Sequence, residues 1–201
     1  MSRIGVMALQ GAFEEHIQAL GRLGAETVEV RLPRDLEGCE GLVLPGGETT
    51  TQRKLAKEYG LWEPIRHLGR EGLPMLATCA GLILLARNVE EGEGHAPREA
   101  SAAETALNLI DIDVVRNAYG RQVFSFEAEM KVPFLESVSL DRAPFRAIFI
   151  RAPVIRRTGP GVTVLSEWEG SPVAVKQGNL IGLTFHPELT CDDRFHLYFL
   201  N

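Results

Sequence analysis

The stretch from Pro74 to Ala86 carries one cysteine, Cys79, between two apolar runs. The first run, Met75–Ala77, reads as a strand and the second as a helix starting near Ala80, with the small residues Ala80 and Gly81 leaving room for the sharp turn. Cys79 then lies at the apex of a strand–turn–helix, the geometry of a nucleophile elbow. The helix start aims free N–H groups and a positive dipole end at the thiol, which favours the nucleophilic thiolate. A cysteine nucleophile needs a general base, and Leu180–Leu189 reads as a strand ending in His186-Pro187-Glu188. The i, i+2 spacing puts both side chains on one side of an extended segment. Glu188 can then orient one imidazole nitrogen while the other faces Cys79. Taken singly, Cys79 also fits a buried structural thiol, and His-Pro-Glu also fits a plain turn.

A third piece, Gly46-Gly47-Glu48, follows the apolar run Gly41–Leu44. A backbone without Cβ can turn the Gly47 N–H toward a developing oxyanion, with the Ala80 N–H as second donor. The segment lacks the lysine and glycine spacing of a phosphate-binding loop. Arg116 and Arg151 each fall at a strand end, where a guanidinium can hold a substrate carboxylate. Solvated surface pairing is the other reading of both. His16, His67, His95 and His196 sit in helical or loop contexts without a partner and read as surface or core residues; Cys39 and Cys191 read as structural or incidental. No Cys or His pair has ligand spacing, so neither a metal nor a cofactor is expected. Together these parts describe acyl transfer through a thioester on a small substrate.

The elements that must position these groups alternate. Strands are predicted over 3–9, 26–30, 41–44 and 75–77, with helices over 12–23, 49–58 and 61–71. Strand–helix alternation with near-continuous apolar strands predicts a parallel sheet covered on both faces. Residues 90–106 read as an irregular, mobile loop. Short strands follow over 109–115, 123–131, 146–150, 162–167, 173–177 and 180–185, with Gln177-Gly178-Asn179 marking a hairpin, and 192–200 reads as a helix. The expected fold is α/β: a three-layer, mostly parallel sheet with helices on both faces and an antiparallel extension. In such sheets the crevice lies beyond the carboxyl ends of the strands. Gln10, Gly46, Gly47, Cys79 and His186 all fall there.

Bulk properties fit this reading. A chain of 201 residues reads as one domain, 1–201, able to bury roughly 70% of its unfolded surface. The net charge of −6 argues against nucleic acid or an anionic membrane as partner. No apolar run reaches the ~20 residues of a membrane span. Three cysteines with no signal-peptide layout point to reduced thiols in a cytoplasm.

The blocks Val6–Gly11, Leu44–Thr50, Thr78–Gly81, Val115–Gln122, Ser125–Glu127, Ile148–Pro153 and Thr184–Thr190 cover the chain from end to end. In them the chain resembles the class I glutamine amidotransferases, and within these the glutaminase subunits of pyridoxal 5′-phosphate synthases. The resemblance implies hydrolysis of L-glutamine to L-glutamate and ammonia, with ammonia passed to a separate synthase subunit in a hetero-oligomer. It implies Cys79 as nucleophile, His186 as base and Glu188 as its orienter. It also implies glutamine binding by Gly46, Gly47, Glu48, Arg116, Ile150 and Arg151. Gln10 matches a position near the oxyanion region and the subunit interface. Two departures are small: Thr49 stands for the usual serine and Ala77 for the usual glycine. The glutaminase of imidazole glycerol phosphate synthase shares the triad but differs after the cysteine and in the glycine loop. A non-catalytic relative would lack the His-x-Glu, and an α/β-hydrolase would place its acid before its histidine. The flexible glycine pair predicts a peptide plane that the synthase subunit re-aims, leaving the lone chain weakly active.

Overall fold

A computed structural model describes residues 2–92, 106–116 and 125–201. The N-terminal part alternates as expected: β1 (Arg3–Met7), α1 (Phe13–Arg22), β2 (Glu26–Val30), β3 (Gly41–Leu44), α2 (Thr49–Glu58), α3 (Trp62–Arg70), β4 (Met75–Thr78) and α4 (Ala80–Leu85). Further along come β5 (Ala86–Glu91), β6 (Ile110–Arg116), β7 (Ser125–Met130), β8 (Phe145–Ile150), β9 (Val154–Thr158), β10 (Thr163–Trp168), β11 (Ser171–Gln177), β12 (Leu180–Leu183) and α5 (Arg194–Leu200). The main sheet has seven strands in the order β10-β11-β12-β4-β3-β1-β2. Its β1–β2, β1–β3, β3–β4 and β4–β12 pairs are parallel, whereas β10–β11 and β11–β12 are antiparallel.

Alternation along the strands assigns the two faces. Met7, Leu42, Leu44, Met75 and Ala77 pack with Ala56, Trp62, Ile65 and Leu82 of α2, α3 and α4. Ile4, Val6, Val43 and Leu76 point the other way, against Leu20 of α1 and Phe195 and Phe199 of α5. Because both faces are covered, β3 and β4 are buried at every position, which is why they read as unbroken apolar runs. This is the expected three-layer arrangement.

Two strands were not expected, and the extension divides. The helix after Cys79 stops at Leu85, and the chain continues as β5, including Glu90 and Glu91 of the segment read as a loop. Residues 93–105 of that loop lie outside the described residues, as do 123–124 of the predicted strand 123–131. β9 was hidden by Arg156 and Arg157, which look like loop residues in sequence. In the fold Arg157 pairs with Asp111 at 2.7 Å and Asp113 at 2.6 Å, and Arg156 with Glu90 at 3.1 Å. The extension does not all join the main sheet: β5-β6-β9, in which β5 and β6 pair parallel and β6 and β9 antiparallel, and the antiparallel pair β7-β8 form sheets of their own, and only β10-β11-β12 continue it. The hairpin read at Gln177-Gly178-Asn179 joins β11 to β12, with Gln177 opposite Leu180 and Gly178 at φ +56°.

Candidate active site

Register brings the chemistry together. Leu44 lies opposite Ala77 and Leu183 opposite Thr78, so β3, β4 and β12 end side by side. The residues just beyond them, Gly46, Cys79 and His186, emerge at one sheet edge. The β12 backbone continues the ladder one step further, with the Cys79 N–H donating to the Leu183 carbonyl at 2.8 Å. Cys79 then turns at φ +48°, a conformation unusual for a residue with a side chain and the strained geometry expected of an elbow. Gly81 lets α4 settle onto β3: a Cβ there would collide with the Leu44 carbonyl oxygen.

His186 is held from three sides. Its N–H donates to the Ile148 carbonyl of β8 at 2.9 Å. The preceding Phe185 points into the core against Phe145, Phe149 and Phe195, so the next side chain faces the cleft. The imidazole packs against Gly46, where a Cβ would collide with ring atom Cε1. Its Nδ1 lies 2.7 Å from Glu188 Oε1, which leaves Nε2 for the cleft. Burial alone would lower the His186 pKa; interactions with Cys79 and Glu188 outweigh it and raise it to about 10. Glu188 is almost fully buried. Burial pushes its carboxyl up, but His16, His186 and its own backbone N–H hold it below the usual carboxylate range.

The glycine loop is held by several polar contacts at Gly46 and Glu48. Gly46 N–H donates to Thr78 Oγ1 at 3.0 Å, and its carbonyl accepts from Ala12 N–H at 3.0 Å. Gln10 Oε1 accepts from Glu48 N–H at 2.7 Å. The buried Gln52 Nε2 donates to the carbonyls of Gln10 at 2.9 Å and Pro45 at 3.1 Å. Glu48 itself caps α2, accepting from the amides of Thr50 and Thr51. Burial raises the Glu48 carboxyl, but these Thr51 and Thr50 hydrogen bonds leave it lowered. Arg116 ends β6 with its guanidinium between Glu48 at 3.6 Å and Glu91 at 3.4 Å. Arg151 follows β8 at φ +46°, a second strained residue on the cleft wall.

A cleft of about 380 Å³ unites these groups. Its walls include every residue singled out in sequence except Glu188, which lies behind His186. Gln10, Gly46, Gly47, Glu48, Cys79, Ala80, Arg116, Ile150, Arg151 and His186 all line it. Cys79 Sγ also lies 3.8 Å from the Ile150 carbonyl. No group of three His, Cys, Asp or Glu placed to hold a metal occurs among the described residues.

Sequence reasoning missed the supports. Thr78 is a polar residue closing an otherwise apolar strand, a signal that was available. Gln52 left none, since a glutamine on a helix is ordinary. His16 and His196, read as lacking partners, are fully buried and bonded to each other at 2.9 Å. His16 shares the helical spacing of Phe13, Ile17 and Leu20, which marks it as facing inward.

Comparison with known proteins gives one answer at two levels. Residues 6–201 match the model of the SNO glutamine amidotransferase family. A Dehalococcoides mccartyi protein named pyridoxal 5′-phosphate synthase subunit PdxT is 50% identical over 199 residues, 98% of this chain and 95% of its own. One of the same name from Pelotomaculum thermopropionicum is 49% identical over 198 residues, 98% of this chain and 93% of its own. A crystal structure described as a glutamine amidotransferase superposes with a TM-score of 0.84 at 45% identity, covering 98% of this chain and 96% of that one.

Proposed function

The chain belongs to the SNO glutamine amidotransferase family, and from that membership we propose that it is the glutaminase subunit of a pyridoxal 5′-phosphate synthase. It hydrolyses L-glutamine to L-glutamate and ammonia and delivers the ammonia to a separate synthase subunit. The observation that carries the reading is the elbow cysteine at φ +48° sharing one cleft with a His186 whose far nitrogen is held by Glu188 at 2.7 Å.

In this reading the Cys79 thiolate attacks the carboxamide carbon of glutamine. The oxyanion is met by the N–H groups of Gly47 and of Ala80, the first residue of α4, whose N–H has no intrahelical partner. His186 protonates the departing nitrogen, and ammonia leaves a glutamyl thioester. His186 then takes a proton from water, the hydroxide attacks the thioester, the C–S bond breaks to release glutamate, and the Cys79 thiolate and protonated His186 are restored. Glu188 keeps the imidazole in the orientation both steps need. Arg116 and Glu48 receive the charged end of the amino acid, with Arg151 and Ile150 closing the other wall. No helix among the described residues is long and apolar enough to cross a membrane. Free thiols at Cys39, Cys79 and Cys191 suit a reducing cytoplasm.

The test is glutamate release by the chain with the synthase subunit, comparing the parent with Cys79→Ala. Loss of the nucleophile should cost several orders of magnitude in rate while the circular dichroism spectrum stays unchanged. Residual turnover above ~10% of the parent would remove Cys79 from the chemistry.

A further inference from the structure

Behind the cleft, Glu188 presents two oxygens to two different imidazoles. Oε1 meets His186, while Oε2 is buried and makes no aligned hydrogen bond. A donor-capable atom, His16 Nε2, faces Oε2 at 3.4 Å from the buried side of α1. The same nitrogen lies 3.1 Å from Thr78 Oγ1, the hydroxyl that accepts from the Gly46 amide. On its other side His16 Nδ1 lies 2.9 Å from His196 Nε2 of α5. His16 therefore stands where three parts of the site converge: the orienting carboxylate, the residue before the nucleophile, and the glycine loop.

We propose that His16 is a positioning residue of the glutaminase, its Nε2 hydrogen-bonded to Thr78 Oγ1 at 3.1 Å and lying 3.4 Å from the second oxygen of Glu188, so that it fixes both the residue before the nucleophile and the carboxylate that orients His186. The inference rests on the reading under Proposed function for its kinetic consequence, but not for its structural one. An ionised carboxylate accepts and never donates, so a buried Oε2 is satisfied only by a donor. If His16 carried its proton on Nδ1, an imidazole lone pair would face Oε2, repelling it. With the proton on Nε2, Nδ1 becomes the acceptor for His196 Nε2–H. The chain then runs in one direction, His196 to His16 to Thr78, with Glu188 Oε2 beside the same Nε2–H and His186 donating to Oε1 from the opposite side. His196 Nδ1 is left as the buried unpartnered atom, an acceptor rather than a donor.

The charge state agrees with the geometry. Burial lowers His16 below 6.5, and the Glu188 and Glu15 carboxylates, which pull upward, do not offset it; His186 adds to the lowering. Burial and His16 lower His196 to about 3, although Glu188 and Asp193 pull upward. A neutral His16 supplies a hydrogen bond without a competing positive charge. The carboxylate charge thus remains available to the His186 imidazolium.

The test has one kinetic and one spectroscopic part, on the full chain with its synthase partner. His16→Leu should lower kcat for glutamate release at least fivefold with KM within threefold of the parent. His16→Gln, which keeps an N–H donor at a similar reach, should recover at least half of that loss on a logarithmic scale. A smaller kcat effect, or a glutamine variant no better than leucine, overturns the proposal. Histidine ¹⁵N spectra of the parent between pH 7.5 and 9 decide the matter even if His16→Leu does not fold. A neutral His16 with its proton on Nε2 throughout is expected; a proton on Nδ1, or titration within that range, overturns it. A parent that releases no glutamate with the synthase subunit would fail the glutaminase reading instead, leaving the spectroscopic result to stand by itself.

Discussion

At the scale of single residues, the cleft assigns different work to charges of the same kind. Arg116 is mostly buried between two carboxylates, so its guanidinium is oriented before any ligand arrives. An arginine held in this way contributes equally to ground-state and transition-state binding of the substrate's charged end. Arg116→Ala should therefore raise the glutamine KM about tenfold and leave kcat within about threefold, the signature of lost uniform binding. Steady-state kinetics with the partner present measure both, and an unchanged KM would take Arg116 out of the binding site. Arg151 could be confused with Arg116 in sequence, since each follows a strand. In the fold its backbone is strained and its side chain exposed, so it bears on the shape of the cleft wall more than on a preformed clamp.

At the scale of elements, the glycine loop and the His186 turn must fit each other. Gly46 is glycine because the imidazole of His186 occupies the space where a Cβ would stand. Gly46→Ala should push His186 off Cys79 and reduce glutamate release at least about 100-fold, as misplacements of about 1 Å do in active sites. Gly46 is buried, so the added methyl group also overpacks the site, and the melting temperature should fall by several degrees, corresponding to about 1–3 kcal/mol. Near-parent activity in this variant would mean that His186 is free to relocate. The neighbouring peptide planes are each held by single contacts, Ala12 N–H to the Gly46 carbonyl and Glu48 N–H to Gln10. A net hydrogen bond is worth about 1 kcal/mol, so docking of a partner near Gln10 can re-aim a plane at modest cost.

At the scale of the whole molecule, two consequences follow. The lone chain should release glutamate at less than about a tenth of its rate in the complex, the cost of a wrongly aimed oxyanion donor being larger than that. Equal rates with and without the synthase subunit would rule out activation by loop reorientation. The second consequence is a pH dependence of stability. His196, between α5 and α1, is held neutral down to about 3 by burial and by His16. Below its ordinary value of 6.5 the unfolded chain binds a proton there that the folded chain does not. This contribution is fully present above pH 6.5 and is lost as pH falls through that window, at about 1.4 kcal/mol per pH unit. The urea midpoint should drop between pH 7 and pH 5, and drop less in His196→Phe. Equal drops would mean that His196 is not the group that takes up the proton.

What the sequence determined by itself is local. The elbow follows from a cysteine and two small residues between apolar runs, the His186–Glu188 couple from an i, i+2 spacing, and the parallel half of the sheet from strand–helix alternation. Each is set by backbone sterics and by periodicities that act over a few neighbours. Only the tertiary structure decided that β12, reached through an antiparallel hairpin, returns parallel to β4, and so sets His186 beside Cys79. It alone revealed β5 and β9, whose charged residues look like loop until Asp111, Asp113 and Glu90 answer them. It alone paired His16 with His196, 180 residues apart in the chain. A buried polar side chain is tolerated only with a partner, and such partners come from whichever element the packing of both sheet faces brings near. That choice depends on the whole core, which no short window of sequence contains.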